Sequence, residues 1–253
     1  MSLLISNKIS AELSFRSDPE FPCSLENRSA LAQNGLLESL FADYSNLGLT
    51  YPTDRPVAID SLARALASAL NTNVRYGIFE HFLHRSLLWQ PQNIPLRQIT
   101  YAAGKAPPSW SWMAYHGQIQ YLQNLEYGGV EWDSSVRLVK AKAGDEATSP
   151  ENNSYVLEAR VKRLQDCKIK PKGVIYDKED NEVGYLYFDT QLKNVLPEVR
   201  CAIMGRETGA EDRKRKYHVL FVTGRGKFER VGMGSIQQRF ILFDGQGDTA
   251  QIL

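Results

Sequence analysis

One stretch decides the expected fold: Ala106-Pro107-Pro108-Ser109-Trp110-Ser111-Trp112-Met113-Ala114-Tyr115-His116-Gly117. Two prolines favour an extended backbone, and side chains two residues apart lie on the same side of such a backbone. Because large aromatic rings dominate core energetics, we expect both indoles to wedge between a helical layer and a sheet. The alternative is that they form the wall of a ligand pocket, with Tyr115 and His116 at its rim.

The chain before this strip shows helical periodicity. Apolar residues recur at helical spacing from Leu36 to Leu47 and again from Ile59 to Leu70. A third run, from about Val74 to Trp89, is apolar nearly all round and predicts a central helix. We therefore expect an extended arm over 1–30 and a helical layer over 31–100.

The chain after the strip changes to a period of two, which is typical of half-buried strands. The candidate strands are 136–143 (with a bulge), 157–161, 173–176, 183–188, 199–204, 217–223, 228–233 and 238–243. Polar loops are expected at 144–154 and 205–216. Short consecutive strands predict an antiparallel β-barrel or sandwich over 101–253. The expected class is α+β, with one continuous core shared with the helices.

Composition excludes several functional classes. The 253 residues carry 30 Lys and Arg against 29 Asp and Glu, so no broad positive field favours nucleic acid. No segment approaches the ~20 apolar residues of a membrane span, and the first residues do not resemble a signal peptide. The three cysteines are odd in number and far apart in sequence, which indicates a reducing compartment and a cytoplasmic location.

No motif predicts a metal or a cofactor. His81 and His84 would share one face of the third helix, but they lack the spacing of a zinc protease motif, even with His116 nearby. The glycines at 224–226 and 232–234 lie within a β pattern rather than at a helix start, so they indicate turns and not a phosphate loop. Asp54 and Arg55, which lie between two prolines, are interpreted as contacts at a helix start.

Four segments in order resemble the C-terminal region of fungal heterokaryon-incompatibility (HET) domain proteins. They are Tyr44–Arg55, Gly77–Phe79 with Leu87–Trp89, Ala106–Trp112 and Glu229–Gly232. Phe79 replaces the family's tryptophan, His116 replaces a residue that is usually acidic, and one extra proline interrupts the third segment. The motifs of the family's N-terminal HET domain are absent from residues 1–35, so the resemblance implies a tail region without that domain's activity.

Two functions remain open. The first is a recognition or regulatory module that binds a protein or a small apolar ligand through Trp89, Trp110, Trp112, Tyr51 and Arg55. The second is a cofactor-free cyclase, isomerase or dehydratase of fungal secondary metabolism, with His116, His81 and Tyr115 as acid–base groups. A cavity of ~300 Å³ or more beside Trp112 and His116 would favour a ligand or enzyme site, whereas an exposed apolar patch would favour a protein partner.

Overall fold

The computed structural model describes residues 18–122, 128–141, 155–191, 198–209, 214–243 and 249–253. Its three α-helices are α1 (Ala30–Ser45), α2 (Arg55–Ala69) and α3 (Leu83–Leu87). Ser29 starts α1 by accepting a hydrogen bond from the Ala32 amide at 3.3 Å, and a proline in the first turn suits the start of α2. The two longer helices confirm the periodicity seen in the sequence.

The predicted third helix over 74–89 is wrong. The segment contains a hairpin of β1 (Val74–Arg75) and β2 (Ile78–Phe79), a 3₁₀ turn, the single turn α3 and β3 (Trp89–Pro91). Tyr76 and Gly77 between the two short strands have φ of +49° and +75°, and residues with such positive φ values cannot belong to a right-handed α-helix. As a result, His81 and His84 do not share a helix face.

The predicted arm over 1–30 is also wrong for the part that the structure describes. Residues Cys23–Asn27 form a 3₁₀ helix, and Leu25 is fully buried in the core below the helices. Residues 1–17 lie outside the described residues.

The rest of the chain is dominated by one sheet of 11 strands, so the class is α+β. The strands from β4 onward are β4 (Arg97–Gln98), β5 (Tyr115–His116), β6 (Ile119–Tyr121), β7 (Val130–Trp132), β8 (Arg137–Lys140), β9 (Tyr155–Leu164), β10 (Cys167–Ile169), β11 (Val174–Asp177), β12 (Glu182–Phe188), β13 (Val199–Glu207), β14 (Lys216–Arg225), β15 (Lys227–Gln237), β16 (Ile241–Leu242) and β17 (Thr249–Ile252). The central order of the large sheet is β10-β11-β12-β15-β14-β13-β9-β16, and β7 and β8 pair with β13 and β9, respectively. Strand β17 pairs with both β15 and β9, so the pairings of β9, β13, β14, β15 and β17 form a ring. All strand pairs of this sheet are antiparallel except β15 with β17.

Some strand details differ from the expectation. The strands β8 and β9 pair in unbroken register, so no bulge lies in β8. The expected strand over 238–243 is a 3₁₀ turn, Gln238–Phe240, followed by the short β16. Strands β13 and β14 extend into the predicted loop 205–216, and the predicted loop 144–154 lies outside the described residues.

Both faces of the sheet are buried. On β14, Val219 and Phe221 belong to a small cluster on one face, whereas Leu220 and Val222 belong to the large cluster shared with the helices. This alternation follows from the two-residue period of a strand. The helices and the 106–117 strip therefore pack on the face that carries Leu220.

A buried ion pair joins the helical part to the sheet. Arg230 on β15 donates from Nε and Nη2 to Asp189 at 2.9 and 3.0 Å, and from Nη1 to the Leu87 carbonyl at 2.7 Å. Its Nη2 also donates to the Trp89 carbonyl, and its guanidinium carbon lies 3.5 Å from the Trp89 ring centroid. One side chain thus connects β15, the end of β12, α3 and β3.

Candidate functional site

The three tryptophans of the predicted site are packing residues in this structure. Trp89, Trp110 and Trp112 have no exposed surface, and the Trp89 indole donates to the Trp110 carbonyl at 3.0 Å. Trp112 lies against Phe41 and Tyr44 of α1, with ring centroids 5.5 and 6.0 Å apart. A ligand could reach these rings only by displacing the core around them.

The strip around them is not one extended segment. A turn at 109–110 leads into a 3₁₀ helix, Trp112–Ala114, which the Ser111 hydroxyl caps by accepting from the Met113 amide at 3.1 Å. The Ser111 hydroxyl also donates to the Tyr76 carbonyl at 2.8 Å. Ser109 binds the sheet instead, since its hydroxyl donates to the Leu253 carbonyl and accepts from the Arg230 amide. The two serines therefore tie the strip to the β1–β2 hairpin and to the sheet.

A groove of about 670 Å³ lies between α2 and this hairpin, and we name it the α2–hairpin groove. Val57 and Arg64 on its rim are 78% and 75% exposed, so the groove is open to solvent. Its lining residues are Pro56, Val57, Ile59, Asp60, Ala63, Arg64, Ala67, Ser68, Thr72, Asn73, Val74, Arg75, Tyr76, Gly77, Met113 and Tyr155. Neither Trp112 nor His116, beside which a cavity would have favoured a ligand or enzyme site, is among them.

The wall formed by the hairpin has a strained backbone. Tyr76 holds a left-handed conformation, which is rare for a bulky residue and costs of order 1–3 kcal/mol. Its ring packs edge-on against Trp110 at 5.8 Å, and its carbonyl accepts from Ser111. At Gly77, an added Cβ would lie 2.7 Å from the Trp112 indole nitrogen, so only glycine fits there. The buried strip therefore holds the hairpin in a conformation that it would not adopt alone.

Three charged side chains line the groove: Asp60, Arg64 and Arg75. Arg64 pairs with Asp60 at 2.6 Å, whereas Arg75 stacks over the Tyr155 ring at 4.6 Å and donates from Nη1 to the Val74 carbonyl at 3.1 Å. No carboxylate among the described residues pairs with Arg75. The groove thus combines an apolar floor with one cation that has no carboxylate partner in the described part of the chain.

Arg55 lies in the interior and not in the groove. It is 1% exposed, and Nη2 donates to the Ser45 carbonyl at the end of α1 at 3.3 Å. Its Nε and Nη1 atoms have no hydrogen-bond partner among the described residues, and the rings of Tyr44 and Trp112 lie at 5.9 and 5.7 Å. Burial lowers the pKa of Arg55. Tyr51, in contrast, is 67% exposed on the connection between α1 and α2.

The structure does not bring the three predicted acid–base residues together. The Tyr115 hydroxyl is buried and donates to the Ser109 carbonyl at 3.2 Å, and burial raises its pKa. His81 is exposed beside Phe82, whereas His116 is partly exposed and lies on β5. No hydrogen bond joins any two of them in the described chain.

His84, the other histidine considered as a metal ligand, packs within the fold. His84 Nε2 lies 2.8 Å from the Asp133 carbonyl oxygen, its ring stacks on Trp132, and burial lowers its pKa. Within the described ranges, no group of three or more His, Cys, Asp or Glu side chains could hold a metal ion.

Sequence reasoning missed the residues that form the groove. Ala63 and Ala67 have no chemical signature beyond a helical stripe, and Tyr76 was assigned to a helix. The one usable signal is the isolated Gly77 within the helical pattern, because glycine weakens a helix relative to alanine.

Comparisons with protein-family models, with curated proteins and with solved structures found no match. The resemblance to HET-domain tails therefore remains a prediction from the four quoted segments.

Proposed function

We propose that this chain is a non-catalytic recognition module that binds a segment of a partner protein in the α2–hairpin groove. The open groove of about 670 Å³ is the observation that carries this proposal. Its volume falls within the ~300–1,000 Å³ of ligand-binding pockets.

The floor of the groove suits apolar anchor residues. Ile59, Ala63 and Ala67 form one helical stripe on α2, and Met113 and Val74 face them from the strip and the hairpin. The small alanines leave room for a partner's larger side chains, as in other grooves that accept an amphipathic segment. Arg75 would favour an acidic residue beside those anchors, because it has no carboxylate partner in the described chain.

A protein partner fits the surrounding surface better than a small apolar molecule. Leu47, Tyr51 and Val57 are 56%, 67% and 78% exposed, and all three lie at or near the connection between α1 and α2. Of these residues Val57 also lines the groove, and exposed apolar surface of this kind is typical of protein-binding sites. A small ligand would leave them uncovered.

The alternative of a cofactor-free enzyme has less support. Catalysis of that kind needs acid–base groups in a cavity, and His116, His81 and Tyr115 do not line the groove. A regulatory tail, as the HET resemblance implies, needs only a binding surface. A cytoplasmic location belongs to the same proposal, because Cys23, Cys167 and Cys201 are unpaired thiols. Within the described residues, no helix is both long enough and apolar enough to cross a membrane.

Selection from a random peptide library tests the proposal. Ser68→Trp fills the groove from an exposed position, and Ala65→Trp places the same side chain on the same helix outside the groove. We expect selected peptides to carry apolar anchors with an acidic residue, and to bind Ser68→Trp at least ~10-fold more weakly than the wild type, equivalent to ~1.4 kcal/mol. Ala65→Trp should bind like the wild type. Equal binding to all three proteins would contradict the proposed site.

A further inference from the structure

A second group of basic side chains lies at the β4–β5 ribbon. Arg97 and His116 are direct partners across this antiparallel pair. Partners of this kind project to the same face with Cβ atoms about 4.5–5.5 Å apart, and like charges at such positions repel each other. Arg97 is exposed and His116 partly exposed, so both can reach solvent.

The buried Arg55 is connected to the segment after this ribbon through Ser45. The chain that leaves His116 reaches Ile119, whose amide donates to the Ser45 hydroxyl at 2.9 Å. The carbonyl of that same serine accepts from Arg55 Nη2 at 3.3 Å. Ser45 thus links the buried guanidinium to the segment that follows His116.

The donors in this group are incompletely used. Arg55 Nε and Nη1 and His116 Nδ1 have no hydrogen-bond partner among the described residues, and none of the described carboxylates forms an ion pair with Arg55 or Arg97. In the described part of the chain, Arg55 donates to the carbonyl end of α1, which carries a partial negative charge.

The electrostatics agree with this geometry. The pKa of His116 is lowered first by burial and then by Arg55 and Arg97. Among the described residues, the titratable groups that interact electrostatically with Arg55 are His116, Tyr44 on α1 and Tyr101 before the strip, and burial raises the pKa of Tyr101 to about 12. Both tyrosines are therefore neutral at pH 7 and supply no negative charge.

We propose that Arg97 and His116, with the buried charge of Arg55 nearby, bind a phosphate group, either as the free ion or as part of a small molecule. An oxyanion can accept hydrogen bonds from a guanidinium and from an imidazolium at once, and such charge-assisted bonds are stronger than neutral ones. The proposal is independent of the α2–hairpin groove, since neither Arg97 nor His116 lines it.

Histidine titration by NMR in the presence of inorganic phosphate tests this site. Because an anion favours the protonated imidazole, we expect phosphate to raise the His116 midpoint, saturably, by about 0.5 unit or more. That shift corresponds to ~3-fold tighter binding to the protonated form. Sodium chloride at the same ionic strength should produce a smaller shift without saturation, and exposed His81 should show no saturable shift.

Two arginine variants complete the experiment. Arg97→Gln should abolish the saturable shift, whereas Arg64→Gln, at an exposed arginine of the groove, should leave it intact. Equal shifts in phosphate and chloride, or an unchanged response in Arg97→Gln, would overturn the proposal. Acetate and citrate titrations then show whether a carboxylate can replace phosphate: a response to phosphate alone supports the site as stated, and a response to carboxylates alone rejects its phosphate chemistry.

Discussion

Arg230→Met should destabilise the protein by removing the buried ion pair that connects the helical part to the sheet. The wild-type guanidinium makes hydrogen bonds to Asp189 and to the carbonyls of Leu87 and Trp89, and both ionic side chains are essentially inaccessible to solvent (0% and 1%). Methionine fills a similar volume but donates no hydrogen bond. The variant therefore leaves a buried carboxylate and two buried carbonyls without their donor.

The magnitude follows from these groups. Removing one partner of a buried ion pair costs ~3–5 kcal/mol, because the remaining charge stays desolvated. Because the two carbonyls also lose their donor, we expect a loss near the middle of that range, about 4 kcal/mol in the free energy of unfolding. For a chain of this size, that loss lowers Tm by ~8–16 °C.

The pH dependence of the loss identifies its cause. Burial raises the pKa of Asp189, and Arg230 opposes that rise. Without Arg230, the folded state of the variant binds a proton more readily than the unfolded state does. The loss of stability of the variant relative to wild type should therefore become smaller as the pH falls from 7 towards 5.

Urea denaturation followed by tryptophan fluorescence measures the effect, since Trp89 lies beside the substituted site. Arg137→Met is the matched control, because Arg137 pairs with Glu158 but is 67% exposed and should lose less than ~1 kcal/mol. Two results would refute this role of Arg230: an equal loss of stability in the two variants, or a loss in Arg230→Met that does not change with pH.

Three further outcomes follow from buried groups. Gly77→Ala should lower the free energy of unfolding, measured by urea denaturation, by ~2–4 kcal/mol, because the added Cβ would lie 2.7 Å from Trp112 and 2.9 Å from Met113. Gly226→Ala is the control: Gly226 has the same φ of +75° but no atom within 4 Å, so the loss should be only ~1 kcal/mol. His218 is buried, and burial lowers its pKa to about 4. Between pH 6.5 and 4 the unfolded chain therefore binds more protons than the folded chain does. The free energy of unfolding should fall by up to ~3 kcal/mol as the pH decreases across that range. His218→Phe should remove that slope in Tm against pH, and an unchanged slope would assign it to another group. Trp112→Ala should lose ~3–5 kcal/mol, and retained stability would contradict the position of this indole in the core.

The sequence predicted the long helices and most of the strands because their apolar residues repeat with a clear period. It did not predict the β1–β2 hairpin, since a run that is apolar on all sides fits a buried helix and a buried strand equally well. What decides between them is the left-handed pair Tyr76 and Gly77, which is stabilised by residues of the strip more than thirty positions later. That contact is tertiary and has no local signature.

In the candidate site, too, the sequence predicts features with a local pattern and does not predict those that depend on tertiary contacts. The sequence singled out the tryptophan strip but not the groove that the strip supports, because the groove exists only once α2 and the hairpin face each other. Arg55 was recognised as a contact at a helix start, yet its nearly complete burial could not be foreseen, since charged side chains are rarely buried without a partner.

Ser111→Ala tests the link between the buried strip and the groove. The change removes the hydroxyl that donates to the Tyr76 carbonyl and caps the 3₁₀ helix at Met113, at a cost of ~1 kcal/mol for each hydrogen bond. Since this bond helps to hold Tyr76 in its strained conformation, we expect amide hydrogen exchange to accelerate in β1 and β2 more than elsewhere.

Ser109→Ala is the control, because it removes hydrogen bonds of the same kind from the same strip. Ser109 binds the Leu253 carbonyl and the Arg230 amide, which belong to the sheet side and not to the hairpin. It should therefore lower global stability by a similar amount while leaving the relative protection of β1 and β2 unchanged. Equal loosening of the hairpin in both variants would mean that the strip stabilises the fold as a whole, without a specific role in shaping the groove.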